Sequence, residues 1–496
     1  MLSLALKLCD DKNFEKTMKV QLKITEINKI EKQGLSVFKF DGINWWPLIR
    51  VYLFQNHKIV NQKEPIRISN RDKLVYPKRI LWDIRLWKET KKKLKAYPGK
   101  EVYKSLTPVD SCFVTSEINY KPNTEKKLIN RYLDPLYFET EGSKTIFVNS
   151  CKDNKDYIIP ELLPTHYFEL ELELETQLDD IINTVFFKKK LTYSKKYEVR
   201  FAEMIEFIRS FTFFKDFNFV NLGHWIDKTK RFEAIATRIF QKTHPKQLIQ
   251  YCYYFPVQFG YTLAANKMGI KTVDYQHGIQ NSFHYGYGSW SNVPESGYEL
   301  LPKEFWVYSK REEQNLLKSF SDSTHEVRIV GNKWVKYWQN HKTSNEDLMW
   351  LKTLKHSYKI VLFTISNYLL EEEHFLWEYL KTLKNNSLYI LFRLHPGHLH
   401  LKEQLMENLK RINYQNYNID QPTTTELYDL LDEVDVHITQ NSTVAEEALN
   451  FNLSTIILDE KWGIYFEDYI NAGDMFLPVN LKELDLLLNK MLISKH

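Results

Sequence analysis

The sequence predicts an α/β protein with two domains, each built on a parallel β-sheet that faces a central cleft. After residue 300, short β-prone apolar runs alternate with segments of helical pattern, which is typical of a doubly wound parallel sheet. Polar turns also follow apolar runs in two separate α/β segments, and ligands of such sheets bind beyond the carboxyl ends of strands. The runs after residue 300 are EFWVYS, EVRIVGN, KIVLFTIS, LYILFRLHP, VDVHIT and STIILDE.

The chain has 496 residues, which is enough for about two or three domains. We predict a first domain over residues 1–300, with helical and basic insertions, and a second domain over 301–475. Residues 476–496 are predicted as a C-terminal helix, and a return of this helix to the first domain is left open.

Two segments of the first domain are ambiguous or interrupted. Helical patterns dominate residues 195–268, with a strand candidate at 247–255. The strictly alternating segment 168–177 fits a half-exposed strand and a helix equally well.

The most informative segment is DVHITQNSTVAEEA, residues 435–448. An apolar run stops at Gln440, Asn441, Ser442 and Thr443, and a helix-forming segment follows, so we predict a strand that ends at a capped helix N-terminus. Backbone N–H groups, two hydroxyls and the positive end of the helix dipole converge in such a turn. The turn is therefore suited to binding phosphate.

Two similar turns occur earlier in the chain. In LYILFRLHPGH, residues 388–398, Pro396 cannot continue a β-ladder, so the strand is expected to end at His395. In TVDYQHGIQN, residues 272–281, a short strand leads into Gln276, His277 and Gly278. Both turns place a histidine at the end of a predicted strand.

The order and spacing of QHG, R-x-HP and a Ser/Thr pair before a Glu-containing helix resemble GT-B glycosyltransferases of bacterial surface polysaccharides, over about residues 245–475. The similar groups are polysialyltransferase-like enzymes, capsule and lipopolysaccharide Kdo transferases, and teichoic-acid polyol-phosphate polymerases. The resemblance implies two Rossmann-like domains, with the acceptor on the first and the nucleotide donor on the second. Gln276 and His277 replace an acidic pair of the sialyltransferase type and are more similar to the polymerases. Asn452-Leu453-Ser454 replaces a Gly-x-Pro turn.

The resemblance also implies roles for individual residues. His277 corresponds to the catalytic base, with Gln276 and Gly278 beside it in the cleft, and Glu447 corresponds to the ribose ligand. The phosphate ligands would be His395 and Pro396 of the HP motif with Asn441, Ser442 and Thr443.

Residue chemistry agrees with these roles but leaves alternatives open. An unperturbed histidine has a pKa near about 6.5, which suits His277 for accepting a proton, and Asp274 would orient the imidazole unless strand alternation points it elsewhere. Arg393 would contact a phosphate or the carboxylate of an ulosonic acid. Each of these residues also has a purely structural explanation: His277 as a hydrogen-bonded strand end, Ser442 and Thr443 as a helix cap, and Glu447 as a favourable charge at a helix N-terminus.

The expected function is transfer of a sugar, CMP-linked Kdo or sialic acid, from a nucleotide donor to a cell-surface polysaccharide or glycolipid. The alternatives are a CDP-glycerol or CDP-ribitol polyol-phosphate transferase, a nucleotide-sugar epimerase and a non-catalytic partner. No cofactor is expected beyond the nucleotide-sugar co-substrate. No metal is expected either, because His395, His398 and His400 lack a fourth ligand at a recognisable spacing.

Composition is ordinary for a globular enzyme, and a net charge of +5 does not indicate nucleic-acid binding. Four scattered cysteines predict reduced thiols. No signal peptide and no run of about 18 apolar residues is seen, so a cytoplasmic location is expected. The basic segment 77–97 and the lysines at 188–190 and 195–196 fit a solvated helix face or peripheral contact with anionic lipid headgroups.

Overall fold

The structure is a computed structural model that describes most of the two sheets and the helices around them. The described residues are 14–56, 106–116, 120–122, 128–140, 143–150, 166–168, 201–215, 219–278, 280–342, 348–365, 375–382, 387–440, 442–458 and 466–493, with single positions 85, 88, 92, 217 and 463. The ambiguous segment 169–177, the lysine clusters at 188–196 and nearly all of the basic segment 77–97 lie outside the described residues.

The chain forms two compact units, Val20–Trp334 and a second unit that contains Val335–His496. The described strands of the first unit are β1 Lys39–Phe40, β2 Ile43–Asn44, β3 Ser111–Ser116, β4 Tyr120–Pro122, β5 Leu128–Asn130, β6 Thr145–Ser150, β7 His166–Phe168, β8 Gln247–Gln250, β9 Lys271–Tyr275, β10 Glu304–Val307 and β11 Glu326–Ile329. Its described helices are α1 Phe14–Gln33, which belongs to this unit from Val20 onward, α2 Trp46–Asn56, α3 Asp134–Phe138, α4 Ala202–Ser210, α5 Val220–Thr243, α6 Pro256–Lys267 and α7 Lys310–Phe320.

The first unit is centred on a seven-stranded sheet with the order β11-β10-β9-β8-β3-β6-β7. Every pairing in this sheet is parallel. The chain runs outward from β3 through β6 to β7, returns to β8 beside β3, and then runs outward the other way. The order therefore reverses between β3 and β8, which is the topological switch point where ligands of this architecture bind.

Alternate residues of β3 bury themselves on opposite faces of the first sheet, as a strand geometry with a period of two requires. Cys112 and Val114 pack with residues of α5 and α6, including Phe232 and Tyr261. Phe113 packs on the other face with residues of β6, β8 and β9. Both faces are covered, as is usual for parallel sheets.

Helix α6 packs very closely against α5 at Gly260. A Cβ atom at this position would lie 2.7 Å from the backbone oxygen of Thr229 and 2.8 Å from the backbone nitrogen of Glu233. Pro256 occupies the first turn of α6, where its missing N–H removes no helical bond. Gly269, with φ of +71°, lies just beyond the end of α6 in the left-handed conformation that glycine adopts most easily.

The second unit contains a six-stranded parallel sheet with the order β14-β13-β12-β15-β16-β17. Its strands are β12 Lys359–Ile365, β13 Leu388–Leu394, β14 Tyr417–Asn418, β15 Val436–Thr439, β16 Thr455–Ile457 and β17 Met475–Phe476. Its described helices are α8 Lys333–Asn340, which begins at the boundary, α9 Met349–Lys355, α10 Phe375–Thr382, α11 Lys402–Arg411, α12 Asp420–Thr424, α13 Leu427–Glu433, α14 Val444–Leu449, α15 Glu467–Asn471 and α16 Leu481–Ile493. The strand order again reverses, here between β12 and β15.

A buried polar row crosses the middle of the second sheet. His437 of β15 is fully buried, and its Nε2 lies 2.9 Å from Thr364 Oγ1 of β12. Its Nδ1 lies 3.0 Å from Thr455 Oγ1 of β16. Burial lowers the pKa of His437 to about 3, so the imidazole is neutral and both ring nitrogens are satisfied.

The boundary between the units differs from the sequence prediction of residues 300 and 301. The runs EFWVYS and EVRIVGN form β10 and β11, which are parallel neighbours of β9 in the first sheet. Their hydrogen bonds extend the first unit to Trp334. The C-terminal helix α16 packs through Leu484, Leu488 and Met491 into the core of the second unit. Its return to the first domain stays a prediction.

Two parallel sheets with helices confirm the predicted α/β fold class with two Rossmann-like domains. The predicted cleft between them stays a prediction. Within the described residues, no helix is long and apolar enough to cross a membrane. In the same part of the chain, no group of three or more His, Cys, Asp or Glu residues is arranged to hold a metal ion.

Candidate active site

Three segments meet at the carboxyl ends of adjacent strands in the first sheet. Residues 251–254 follow β8 and residues 276–278 follow β9, while Arg131 and Tyr132 follow β5, which lies beyond β3 in the chain. The Tyr132 ring lies 5.1 Å from the Tyr251 ring and 6.1 Å from the His277 ring, measured between centroids. The switch point of the first sheet is therefore occupied by tyrosines around one histidine.

His277 is surrounded by aromatic side chains. Its ring centroid lies 6.1 Å from that of Tyr251, 6.0 Å from that of Tyr254 and 6.5 Å from that of Tyr287. Its Nε2 lies 3.1 Å from the Tyr254 hydroxyl. Its Nδ1 is buried and has no hydrogen-bond partner among the described residues.

Burial and a neighbouring cation keep His277 neutral. Burial among the rings and, to a smaller extent, the positive charge of Arg131 together lower the pKa of His277 to about 4. The neighbouring His284 is also neutral, because burial lowers its pKa to about 3. At neutral pH one nitrogen of the His277 ring therefore carries a lone pair.

Asp274 does not bond to His277, contrary to the role predicted for it. Its Oδ1 accepts a hydrogen bond of 3.0 Å from the Tyr253 backbone N–H, and its Oδ2 accepts one of 2.6 Å from the Tyr287 hydroxyl. Alternation along β9 points the carboxyl group into the aromatic core. Burial raises the pKa of Asp274 to about 7. Asp274 thus holds the 253–254 turn and Tyr287, and it reaches the imidazole only through them.

Gln276 has a structural place beside the candidate base. Its side-chain Oε1 accepts from the Tyr308 N–H at 2.7 Å, and its Nε2 donates to the Gly278 carbonyl at 3.1 Å. These bonds fix the turn that carries His277. Gly278 has no heavy atom within 4 Å of an added Cβ, so the space beside it is open.

A buried ion pair anchors the loop that carries His284, Tyr285 and Tyr287. Arg50 of α2 pairs with Glu31 of α1 at 3.1 Å, and both side chains are almost fully buried. The guanidinium also donates to three loop carbonyls, those of Tyr285 at 3.3 Å, Gly288 at 2.8 Å and Ser289 at 3.1 Å. The sequence analysis missed this anchor, since Arg50 and the loop are more than 230 residues apart.

The tyrosines around His277 were missed as well, although the sequence contains a signal for them. The segments YCYYF at 251–255 and HYGYG at 284–288 are dense in aromatic residues near predicted strand ends. Aromatic residues are common in cores, so density alone does not separate a core from a site.

In the second unit, the predicted phosphate residues follow β13 and β15, which lie on either side of β12. Thr443 is the N-cap residue of α14 and makes no side-chain cap bond, whereas Ser442, one residue earlier, accepts through Oγ from the Val444 N–H at 3.2 Å. Thr443 is exposed. His395 is exposed at the end of β13, with its ring 5.3 Å from that of His398. Pro396 begins a 3₁₀ turn, and Asn441 lies outside the described residues.

Arg393 and Glu447 are the charged residues among the predicted nucleotide ligands of the second unit. Arg393 Nη1 donates to the carbonyl oxygens of Pro422 and Thr425, the latter at 2.5 Å, which ties β13 to the following loop. Burial lowers the pKa of Arg393, while the carboxylates of Glu426 and Glu447 raise it. Glu447 Oε2 is buried without a hydrogen-bond partner among the described residues, whereas Glu446 Oε1 accepts from Tyr469 at 3.1 Å.

Comparison with solved structures finds proteins of similar fold. UDP-GlcNAc 2-epimerase from Neisseria meningitidis, bound to UDP-GlcNAc, is 12% identical with a TM-score of 0.46, over 78% of this chain and 92% of that chain. UDP-GlcNAc 2-epimerase from Methanocaldococcus jannaschii is 13% identical with a TM-score of 0.47, over 78% and 94%. A glycotransferase of kitacinnamycin is 9% identical with a TM-score of 0.41, over 78% and 91%.

No protein-family profile and no curated protein sequence matches the chain. At the identities and TM-scores given above, the structural likeness carries no conclusion about activity.

Proposed function

We propose that the protein is a nucleotide-sugar-dependent enzyme in which His277 acts as the general base. The observation that carries the proposal is the neutral His277 imidazole at the carboxyl ends of the first sheet, whose buried Nδ1 has no hydrogen-bond partner in the part of the chain that the structure describes. A buried polar atom without a partner is costly, so its persistence favours a ligand that completes the hydrogen bond. A substrate hydroxyl is a ligand of this kind.

The second unit supports nucleotide binding. The turn after β15 supplies the Ser442 hydroxyl, whose own proton can be donated to a phosphate oxygen while its Oγ accepts from the Val444 N–H. Glu447 Oε2, which has no hydrogen-bond partner within the described ranges, would accept from a ribose hydroxyl. His395 is exposed at the end of β13, two strands away from β15 in the sheet, and it would add a donor to the phosphate.

Sugar transfer is the first candidate reaction. The acceptor oxygen would attack the anomeric carbon while the bond from that carbon to the donor phosphate breaks. The nucleotide leaves with the electron pair, and the acceptor proton passes to His277. A base with a pKa of about 4 is weak, so proton transfer would accompany formation of the new carbon–oxygen bond.

The donor and acceptor follow from the resemblance alone. It favours a CMP-linked sugar such as Kdo or sialic acid and a cell-surface polysaccharide or glycolipid acceptor, at the inner face of the membrane. The histidine of QHG favours instead the polyol-phosphate transferases, which would use CDP-glycerol or CDP-ribitol.

A nucleotide-sugar epimerase is the second candidate, and it is the activity named for two of the solved structures compared above. In that reaction the same base would remove a proton from carbon instead of oxygen. The two candidates are separable, because an epimerase turns over its nucleotide sugar without any acceptor.

The test combines nucleotide binding with turnover. Thermal shifts are measured against CMP, CDP, UDP, GDP and their sugars, since a ligand of the native state raises the melting temperature. We expect one nucleotide to stabilise the wild type and the His277→Gln variant but not Ser442→Ala, with Ser357→Ala, an exposed serine of the same unit, as control.

Turnover of the stabilising nucleotide sugar should fall about 10²- to 10⁴-fold in His277→Gln, the range typical of a lost general base. His356→Gln, at an exposed histidine, is the matched control. Absence of any thermal shift at saturating nucleotide, or full turnover by His277→Gln, would contradict the proposal.

A further inference from the structure

The hydrogen bond between Tyr254 and His277 determines which ring nitrogen can accept a proton. A neutral imidazole has one protonated nitrogen and one with a lone pair, and the partner of one nitrogen sets the state of the other. Nε2 is paired with the Tyr254 hydroxyl at 3.1 Å, whereas Nδ1 has no partner among the residues that the structure describes. If Nε2 carries the proton, Nδ1 is the base.

The surroundings of the Tyr254 hydroxyl favour its acting as acceptor toward His277. The Cys252 thiol and the Tyr285 hydroxyl also lie near the Tyr254 hydroxyl, and each interacts with it electrostatically. Tyr285 in turn accepts from Gln55 Nε2 at 2.9 Å, so its oxygen is held in place. Tyr254 has a single proton, which it can give to Cys252 or Tyr285 while its oxygen accepts from Nε2–H.

The position of Tyr254 is itself fixed from the opposite side. Its neighbour Tyr253 donates its backbone N–H to Asp274 and its hydroxyl to the Gly286 carbonyl. The Tyr254 ring packs against the rings of His284 and Tyr285, with centroids 5.3 Å and 5.2 Å away. The hydroxyl therefore has little freedom to leave the imidazole.

We propose that Tyr254 is a positioning residue that holds His277 in the tautomer with Nε2 protonated and Nδ1 open to substrate. Asp274 contributes to this positioning indirectly, because it accepts the hydrogen bond that holds the turn at Tyr253. This inference rests on the proposed function in one respect, since the proton that Nδ1 accepts would come from the substrate of the proposed reaction. The tautomer itself does not depend on which substrate the enzyme uses.

The first test is the tautomer of His277 in the ligand-free protein. Histidine is labelled with ¹⁵N, and the ring resonances of His277 are assigned by their loss in His277→Gln. We expect a protonated Nε2 and an unprotonated Nδ1 in the wild type. A protonated Nδ1 would overturn the proposal.

The second test removes only the hydroxyl. Tyr254→Phe keeps the ring and should shift the His277 ring resonances toward a mixture of tautomers. Tyr251→Phe is the matched control, because its ring is as close to His277 but the described partner of Nε2 is Tyr254. An unchanged tautomer in Tyr254→Phe would overturn the proposal, as would an equal shift in Tyr251→Phe.

Turnover adds a readout that a packing role would not move. In Tyr254→Phe we expect kcat for the nucleotide sugar to fall about 10-fold or more, with KM within about twofold, because ground-state binding is retained. Loss in KM alone would count against positioning. If the tautomer responds as expected but no nucleotide sugar is turned over, the proposed function fails while the assignment of Tyr254 stands.

Discussion

Arg50→Lys is the substitution that most directly tests how the loop at residues 285–291 is held. The guanidinium donates to five acceptors, which are Asn28 Oδ1, Glu31 Oε2 and the carbonyls of Tyr285, Gly288 and Ser289. Lysine keeps the positive charge but has three donors, so at least two of the five bonds are lost. The planar guanidinium, which bonds to α1 and to the loop at the same time, is lost with them.

The expected cost follows from those bonds. Hydrogen bonds to charged groups contribute about 1.5–3 kcal/mol each, so two lost bonds reduce the free energy of unfolding by roughly 3 kcal/mol or more. The contact of the guanidinium with the Trp290 ring, at 4.5 Å, is weakened as well. The charge left opposite Glu31 prevents the larger loss that follows when a buried carboxylate is left without a partner.

Urea unfolding followed by tryptophan fluorescence measures the stability of the protein, and hydrogen exchange followed by mass spectrometry measures the loop itself. We expect a lower midpoint and faster exchange of the amides at 285–291 in Arg50→Lys. Arg328→Lys is the control, because Arg328 is about half exposed and pairs with Glu326 at the surface. A stability within about 0.5 kcal/mol of wild type, with unchanged exchange, would refute this account of the loop.

Three further predictions concern packing, pH and nucleotide binding. Gly260→Ala should lower the free energy of unfolding by about 1–3 kcal/mol, because the added Cβ meets backbone atoms of α5 that cannot rotate away. Gly278→Ala is the control and should be close to neutral. Equal urea midpoints for the two variants would contradict the close contact between the helices. Burial raises the folded-state pKa of Asp274 to about 7, so the folded protein binds this proton more tightly than the unfolded chain does. The stability that the bound proton contributes is fully present below about pH 4 and is lost as the pH rises to about 7. The stability of Asp274→Asn should therefore rise relative to that of the wild type by up to about 1.4 kcal/mol per pH unit between about pH 4 and 7. Urea unfolding at pH 4 to 8 measures this difference. A pH-independent difference would show that the carboxyl group of Asp274 does not titrate in this range. Glu447→Gln should weaken nucleotide binding about 10-fold by calorimetry. Glu433→Gln is the control, because Glu433 is a half-buried carboxylate of the same unit that pairs with Lys355, and equal Kd values for the two variants would remove Glu447 from the nucleotide site.

The strands of both sheets could be predicted from the sequence because parallel strands are buried on both faces. The run KIVLFTI is almost wholly apolar, and it forms β12 over Lys359–Ile365 with buried residues along its length. The same signal found β13, β15 and β16. An apolar run does not, however, say which sheet it joins. The assignment of β10 and β11 depended on that information, and the boundary was therefore placed too early.

The candidate residues were predictable only where chemistry follows a strand end directly. His277, His395 and Ser442 each lie one to three residues beyond a strand, as expected from the motifs. The partners of His277 were not predictable in the same way, because Tyr254 and Arg131 come from distant segments. Asp274 shows the limit of sequence proximity: it lies three residues from His277, yet the alternation of β9 turns its carboxyl group toward Tyr253 and Tyr287.

The row formed by Thr364, His437 and Thr455 has a consequence for how the second sheet assembles. If β15 paired one residue out of step, His437 would face the apolar interior without a hydroxyl for either ring nitrogen. Each unsatisfied nitrogen would cost about 1–3 kcal/mol, whereas slipped apolar neighbours such as Val436 and Ile438 would pack almost as well as before. Misaligned pairings are therefore penalised chiefly by this one side chain, which selects a unique alignment of three strands and with it the placement of the turn that carries Ser442.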